Sequence, residues 1–521
     1  TLTGIASDLP VMASGVFSNT TTEGVGGALT IVAPRLTVED TGRIATFTSG
    51  DGAGGSVSIH SNQIGLKTGG RIFTGSGLDF LTFETRGEGK AGNIAVVTDS
   101  LSISGVDTFG ANSAIRSKPE SVGDGGSITV TARSIALHDQ GMIETIPFGD
   151  GRAGDIRLTA DALTITGGGA VQTSGSDVKQ SGTITINAKN AVSVIGIGSD
   201  GTPSRIMNEN FGNGGTGPIA IDSKDLIVTD GAWIRSTTFF DPIPSAQPKL
   251  SLLATGSINL TRGADVRASG FLSDVGSIEM SAQRITLADH AMLSTLTFDN
   301  GNAGNILLTA NRLTLSGGSQ IASSTWVGAG HGGNILIAVT DMALSGQFTD
   351  AAGVVTPTSI LSTSEFGSSG RDGNIMIVAD RSVELRSGGN ISANSSGPGN
   401  AGNIFINAGQ QFDMQNSSVR TEAAQASGEN IDIRAIDRIR LVNSLISSSV
   451  QGDPTTAGGN ITIDPKVVVL QNSDILAQTR QGNGGNITIT TPLFLADPGS
   501  LVDASSQFGL NGSVTIQSPT S

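Results

Sequence analysis

Gly-Gly-Asn-Ile-Thr-Ile stands at 458–463 and again at 484–489. The phrase is a glycine, a small polar residue and an aliphatic–x–aliphatic pair. Variants stand at 26–31, 54–59, 91–96, 125–130, 153–158, 181–186, 216–221, 255–260, 275–280, 303–308, 332–337, 372–377, 401–406 and 511–516, and the copy at 427–433 carries one extra residue. A unit this short can bury its apolar face only against neighbouring units, so the repetition decides the architecture.

The second glycine sets the spacing. Gly126, Gly154 and Gly182 are evenly spaced, the shortest interval runs from Gly256 to Gly276, and the longest from Gly333 to Gly373. These intervals predict an obligatory part near the shortest length plus an optional excursion. Within one unit, Ile128/Val130 and Ile135/Leu137 flank Thr-Ala-Arg-Ser, followed by Gly141, Ile143 and Thr145. The same order returns as Ile306/Leu308, Leu313/Leu315, Gly318 and Ile321. Alternation of apolar and polar residues, broken by small residues, reads as three short strands per unit. β-branched residues fill the apolar slots, and no long stretch has helical periodicity.

The expected fold is all-β: a right-handed parallel β-helix of about 17 coils, three strands each, with lateral loop excursions. Right-handedness follows the chirality of parallel crossovers. Seventeen coils at ~4.8 Å each would make a rod on the order of 80 Å long. The expected partition is an N-terminal partial coil at 1–26, a repeat domain at 27–512, and a C-terminal partial coil and tail at 513–521.

The polar residue after the glycine invites an axial ladder of stacked amides. Asn305, Asn334, Asn374, Asn403, Asn460 and Asn486 are its candidates, with Asn93 and Asn430 at equivalent positions. The plainer account is that Asn suits turns.

Composition narrows the function classes. There is no cysteine, so no disulfide contributes, and 4% aromatics without tyrosine is poor material for a sugar-stacking cleft. A net charge of −15 argues against nucleic acid and anionic membranes. No run of apolar residues is long enough to suggest a membrane span. The chain opens inside a repeat, near Val16 and Phe17, and closes just past a first strand, Val514-Thr515-Ile516. Those segments are the candidates for end-to-end pairing between molecules, because an uncapped coil exposes unpaired backbone groups.

The repeated phrases, interleaved with Gly-Gly-Asn-Ile-Ser at 388–392 and Asn-Ala-Gly-Asn-Ile at 400–404, resemble the filamentous-haemagglutinin-like exoproteins of two-partner secretion. The closest likeness is to the repeat-rich forms of cyanobacteria and other Gram-negative bacteria, and it covers 15–516. The resemblance implies export through an outer-membrane transporter, an extracellular or cell-surface location, and β-helical rods used in adhesion, aggregation and biofilm coats. Its partners would be other copies of itself or surface glycans. The family's N-terminal secretion domain has no counterpart in these residues.

No motif for chemistry outweighs its plainer account. Gly-x-Gly-x-x-Gly recurs along the chain, at 50–55, 87–92, 149–154, 212–217 and 328–333 among other places, before a strand instead of a helix, so it reads as punctuation and not as a dinucleotide loop. Loops around Asp51, Asp124, Asp150, Asp155, Asp299 and Asp372 admit a weak calcium reading, but each offers one or two carboxylates and turn aspartates account for them better. No cofactor is expected. The alternative function is a polysaccharide lyase or hydrolase, which needs carboxylates gathered on adjacent coils. Asp40, Asp139, Asp230 and Asp289 fall on the first, fourth, seventh and ninth coils, and His60, His138, His290 and His331 are equally scattered. A structural or adhesive role without catalysis is therefore the expectation. The sixth and seventh units, Gly182 to Gly217 and Gly217 to Gly256, run long and hold Ile206, Met207, Phe211, Trp233, Phe239, Phe240 and Asp241. Phe211, Trp233, Phe239, Phe240 and Asp241 form either a contact patch or, the favoured reading, a satellite core under a long loop. A lateral flap is expected at 344–371, and Trp326 reads as a lone packing aromatic.

Overall fold

The computed structural model describes residues 1–3, 14–20, 23–76, 88–119, 122–147, 149–175, 180–240, 249–365 and 368–518. These residues form parallel strands stacked as a β-solenoid of about 16 turns, with no helix among them. The chain divides into two compact units, Thr1–Thr255 and Gly256–Ser521.

In the first unit one parallel sheet carries the strands that open each coil. Leu29, Val57, Ile94, Ile128, Ile156, Ile184 and Ile219 stand in register along it. A second parallel sheet carries the closing strands and stacks Ile44, Ile72, Ile115, Ile143, Val171, Ile206 and Ile234. The second unit repeats the pattern: Ile278, Ile306, Ile335, Ile375, Ile404, Ile431, Ile461, Ile487 and Val514 form one column. Its isoleucines are essentially inaccessible to solvent. Burying a side chain of that size contributes roughly 1.5–3 kcal/mol, repeated at every coil.

The first two of the three expected strands merge in most coils. Val57–Lys67, Ile156–Thr166 and Ile306–Ser316 each run through as one strand. The bend survives as a phase slip. In Val57–Lys67, Val57, Ile59 and Ser61 point inward, Asn62 and Gln63 are both exposed, and Ile64 and Leu66 point inward again. Two consecutive outward residues turn the strand, and the pairing register skips or shifts at that point. From Ile404–Asn407 and Gln411–Gln415 onward the two strands separate as expected.

One copy of the repeated phrase is out of place. The glycine at 256 lies inside the strand Leu250–Thr261, at its bend, and Ile258 and Leu260 are the coil's second apolar pair. The first pair is Leu250 and Leu252, preceded by Lys249, whose carbonyl accepts from Ile219 N–H. The apparent shortest unit is therefore an illusion. The true interval runs from Leu250 to Ile278 and equals that from Ile128 to Ile156.

The second glycine of the phrase has a steric reason. A Cβ on Gly154 would lie within 3.0 Å of the Gly126 carbonyl oxygen, and one on Gly333 equally close to that of Gly304. The same overlap recurs at Gly55, Gly92, Gly373, Gly402 and Gly512. Buried hydroxyls of the closing strands fasten this corner: Thr74 Oγ1 donates to Gly92 O (2.6 Å), Thr145 to Gly154 O (2.7 Å) and Thr295 to Gly304 O (2.6 Å).

Among the described residues three excursions leave at one corner, between the second apolar pair and the closing strand. Short antiparallel bridges close two of them, Val106–Asn112 and Ile197–Pro203. The expected flap is a small hairpin, Gln347–Thr349 against Val355–Pro357.

Candidate functional site

The asparagine ladder is continuous in the second unit. From Asn305 through Asn334, Asn374, Asn403, Asn430 and Asn460 to Asn486, each Oδ1 accepts two hydrogen bonds from the next coil. Backbone N–H donors lie at 2.7–3.1 Å and Nδ2–H donors at 3.0–3.4 Å. Ser513 receives the last rung through its N–H (3.0 Å) and hydroxyl (2.7 Å). Asn430 keeps its place because Glu429 takes the second-glycine position, so 428–433 matches 458–463 residue for residue and the extra residue expected there does not exist. In the first unit Asn93 Oδ1 accepts from Ser127 N (2.8 Å) and Oγ (3.0 Å), a mixed version of the same contact.

A second polar column, three positions earlier, accounts for several of the loop aspartates. Asp124 Oδ1 accepts from Arg152 N (3.0 Å) and Asp274 Oδ1 from Asn302 N (2.7 Å). Asn302 Oδ1 then accepts from His331 N (3.0 Å), and His331 Nδ1 from Arg371 N (3.0 Å). Asp51 and Asp155 cap Glu88 N (2.9 Å) and Thr183 N (2.8 Å). Among the described residues no group of three or more acidic or histidine side chains gathers around a common point suited to a metal ion.

The four scattered carboxylates have a backbone role. Asp40 (φ 51°), Asp139 (49°), Asp230 (59°) and Asp289 (53°) each sit in the left-handed region at the corner before a closing strand. That corner needs positive φ, which Asp, Asn and Gly tolerate better than other residues. Thr68–Gly69, Gly167–Gly168 and Gly317–Gly318 fill the same corner in other coils, and Asn416, Asn443 and Asn472 in the last ones. Asn472 Nδ2 also donates to Asn443 Oδ1 (2.9 Å), a rung not foreseen from the sequence.

Of the proposed contact patch, the structure brings Phe211 and Phe239 together as stacked rings 4.7 Å apart. Trp233 lies under the Arg235 guanidinium, 3.4 Å from its Cζ. Phe211 and Phe240 are about half exposed, at 48% and 49%. Asp241 lies outside the described residues. Trp233 opens a closing strand, Trp233–Thr238, and Ile206 and Met207 belong to another, Arg205–Asn210, so neither group lies in an excursion as expected. Trp326 is not alone: it meets Phe298 edge-on at 5.2 Å, and Phe298 stacks on Phe271 at 4.5 Å. All three stand just after closing strands, so their nearly even spacing along the chain was the missed signal.

Outward positions of the first unit's closing strands hold a polar column that the sequence did not reveal. Arg116 pairs with Glu144, Gln172 Nε2 donates to Glu144 Oε2 (2.7 Å), and Arg205 Nη2 donates to Gln172 Oε1 (3.0 Å). Glu144 is 1% exposed and Gln172 9%. Burial pushes Glu209, beside them, above the usual carboxylate range, opposed by Arg205 and Arg235.

The proposed end strands are both paired on one side. Gly15–Thr20 runs parallel to Arg43–Thr48, with Val16 and Phe17 exposed, and Val514–Gln517 runs parallel to Ile487–Thr490. Val514, Thr515 and Ile516 are exposed, whereas Ile487 and Ile489 one coil earlier are buried. Compared with family models, curated proteins and solved structures, the chain finds no match.

Proposed function

We propose that this protein is a structural scaffold of the filamentous-haemagglutinin-like kind, exported to the cell surface and working in adhesion through reach and repetition. The observation that carries this reading is the unbroken run of one isoleucine column and one asparagine ladder through the second unit. Such columns hold coils at fixed spacing and let loops project sideways at intervals. Many weak lateral contacts then add through multivalency instead of through one pocket. Copies would join end to end by strand addition on Val514–Gln517 and Gly15–Thr20, with surface glycans as the lateral partners.

The polysaccharide-enzyme alternative would rest on Glu144, a buried carboxylate beside an arginine on an outer sheet face. Both of its oxygens are already engaged, one by Arg116 and the other by Gln172. A general base needs a free oxygen facing substrate.

Negative-stain microscopy of the purified protein across concentrations tests the proposal. Particles whose length grows in whole-molecule steps are expected. Particles of single-molecule size at every concentration would remove the end-to-end part. Release of reducing or unsaturated ends from a polysaccharide panel, abolished by Glu144→Gln, would replace the scaffold reading altogether.

A further inference from the structure

Arg43 and Arg71 stand directly opposite each other on adjacent closing strands of the first unit, with Arg116 two positions along the next strand. Like charges placed opposite on neighbouring strands repel. Arg43 Nε is buried without a hydrogen-bond partner among the described residues. Arg71 Nε donates to Asn112 O (3.1 Å), while its Nη2 lies 3.9 Å from Asp107 Oδ2, beyond hydrogen-bond length. Asp107 divides its carboxylate, its Oδ1 accepting within its own loop from Phe109 N (2.9 Å) and Ala111 N (2.8 Å) while Oδ2 faces Arg71. Glu144, the next acid, is held by Arg116 and Gln172.

Burial bears on these groups too. It lowers the Arg43 guanidinium below its ordinary pKa and that of Arg71 to about 10. The neighbouring guanidinium charges, Arg116 foremost, add to the lowering, and Asp107 opposes it. The side chains nonetheless keep a route to solvent: Arg71 is 16% and Arg116 21% exposed. A protein of net charge −15 thus gathers three guanidinium groups on one face, against two carboxylates, Asp107 and Glu144, among the described residues. Planar forks of this kind match the oxygens of carboxylate and sulfate groups.

We propose that Arg43, Arg71 and Arg116 form an oxyanion-binding site that takes a carboxylate or sulfate group, either free or carried on an acidic glycan. The ligand supplies further counter-charge, and Arg43, whose Nε is buried without a hydrogen-bond partner among the described residues, is the residue most devoted to it.

The test is calorimetric titration of the full chain with sodium sulfate, against sodium chloride at matched ionic strength. Wild type binds sulfate saturably, and Arg43→Gln weakens that binding by roughly tenfold or more. The thermal midpoint of Arg43→Gln without ligand stays level or rises, because the change removes a repelled charge. Arg43→Lys, which keeps the charge but not the fork, serves if the glutamine variant fails to fold, and it too should bind more weakly. Polygalacturonate and dextran sulfate, each against neutral dextran, separate the sources. Tighter binding of a polymer than of the free ion assigns the site to an acidic glycan, and equal binding assigns it to free oxyanions. Absence of binding to any of these, or unchanged affinity in both Arg43 variants, overturns the proposal.

Discussion

Asp372 should make the second unit lose stability as pH rises from about 4 to about 8. It occupies the position that Ala303 and Ala401 hold in neighbouring coils, and is 7% exposed. Its Oδ1 accepts from Ser364 Oγ, and its Oδ2 is buried without a partner among the described residues. Burial pushes its carboxyl up to about 8 from 3.8, only partly opposed by the Ser364 contact. The native state therefore keeps a proton that the unfolded chain releases above its ordinary carboxylate range. The contribution is fully present below about pH 4 and is lost as pH climbs through about 8, at about 1.4 kcal/mol per pH unit between. The total is on the order of 5 kcal/mol, less if the coil opens locally first. Urea unfolding at intervals from pH 5 to pH 9 measures the slope. Hydrogen exchange of the Ser359–Ser364 and Ile375–Arg386 amides localises it. In Asp372→Asn, and more so in Asp372→Ala, this part of the slope should vanish and stability at pH 8.5 should exceed wild type. A wild-type slope that persists unchanged in both variants would refute the reasoning.

Other substitutions probe the stack itself. Gly333→Ala places a Cβ against the Gly304 carbonyl and should cost about 2–3 kcal/mol in urea unfolding; an unchanged midpoint would mean the coils have room to spare. Asn374→Ala removes the acceptor for Asn403 N (3.0 Å) and Nδ2 (3.0 Å) and should cost about 1–2 kcal/mol. Exchange at the Asn403 amide should accelerate, while Asn374→Asp, which keeps the acceptor, should protect it better than alanine does. Asp139→Val should lose about 1–2 kcal/mol from forcing a β-branched residue to positive φ, whereas Asp139→Gly should melt close to wild type.

Periodicity made the stacked-coil fold legible, because the inward isoleucines and the ladder asparagines occupy fixed places in the repeated phrase. What failed was judgement about glycine. Gly256 imitates the start of a coil because a bend inside a strand and a turn before one both favour a small residue. The merging of the first two strands was hidden for a related reason: Asn62 and Gln63 are ordinary strand residues, and only their shared exposure betrays the corner. The aspartates at 40, 139, 230 and 289 invited a test for catalysis because sequence shows a carboxylate but not a φ angle. Outward polar residues on a strand read as exposed. Nothing local therefore marks the arginines of the closing strands or reveals that Glu144 is covered.

The corner where excursions leave has a practical side. Ile72 still faces Ile115, Val171 still faces Ile206 and Ile321 still faces Ile360, although extra residues intervene before each second partner. The chain can wander there and return without moving anything beneath it. A foreign peptide spliced between Ala352 and Gly353, at the exposed tip of the hairpin, should hang outside as cargo while the molecule closes underneath. Natural variants that differ in what they touch would then need to change only such cassettes.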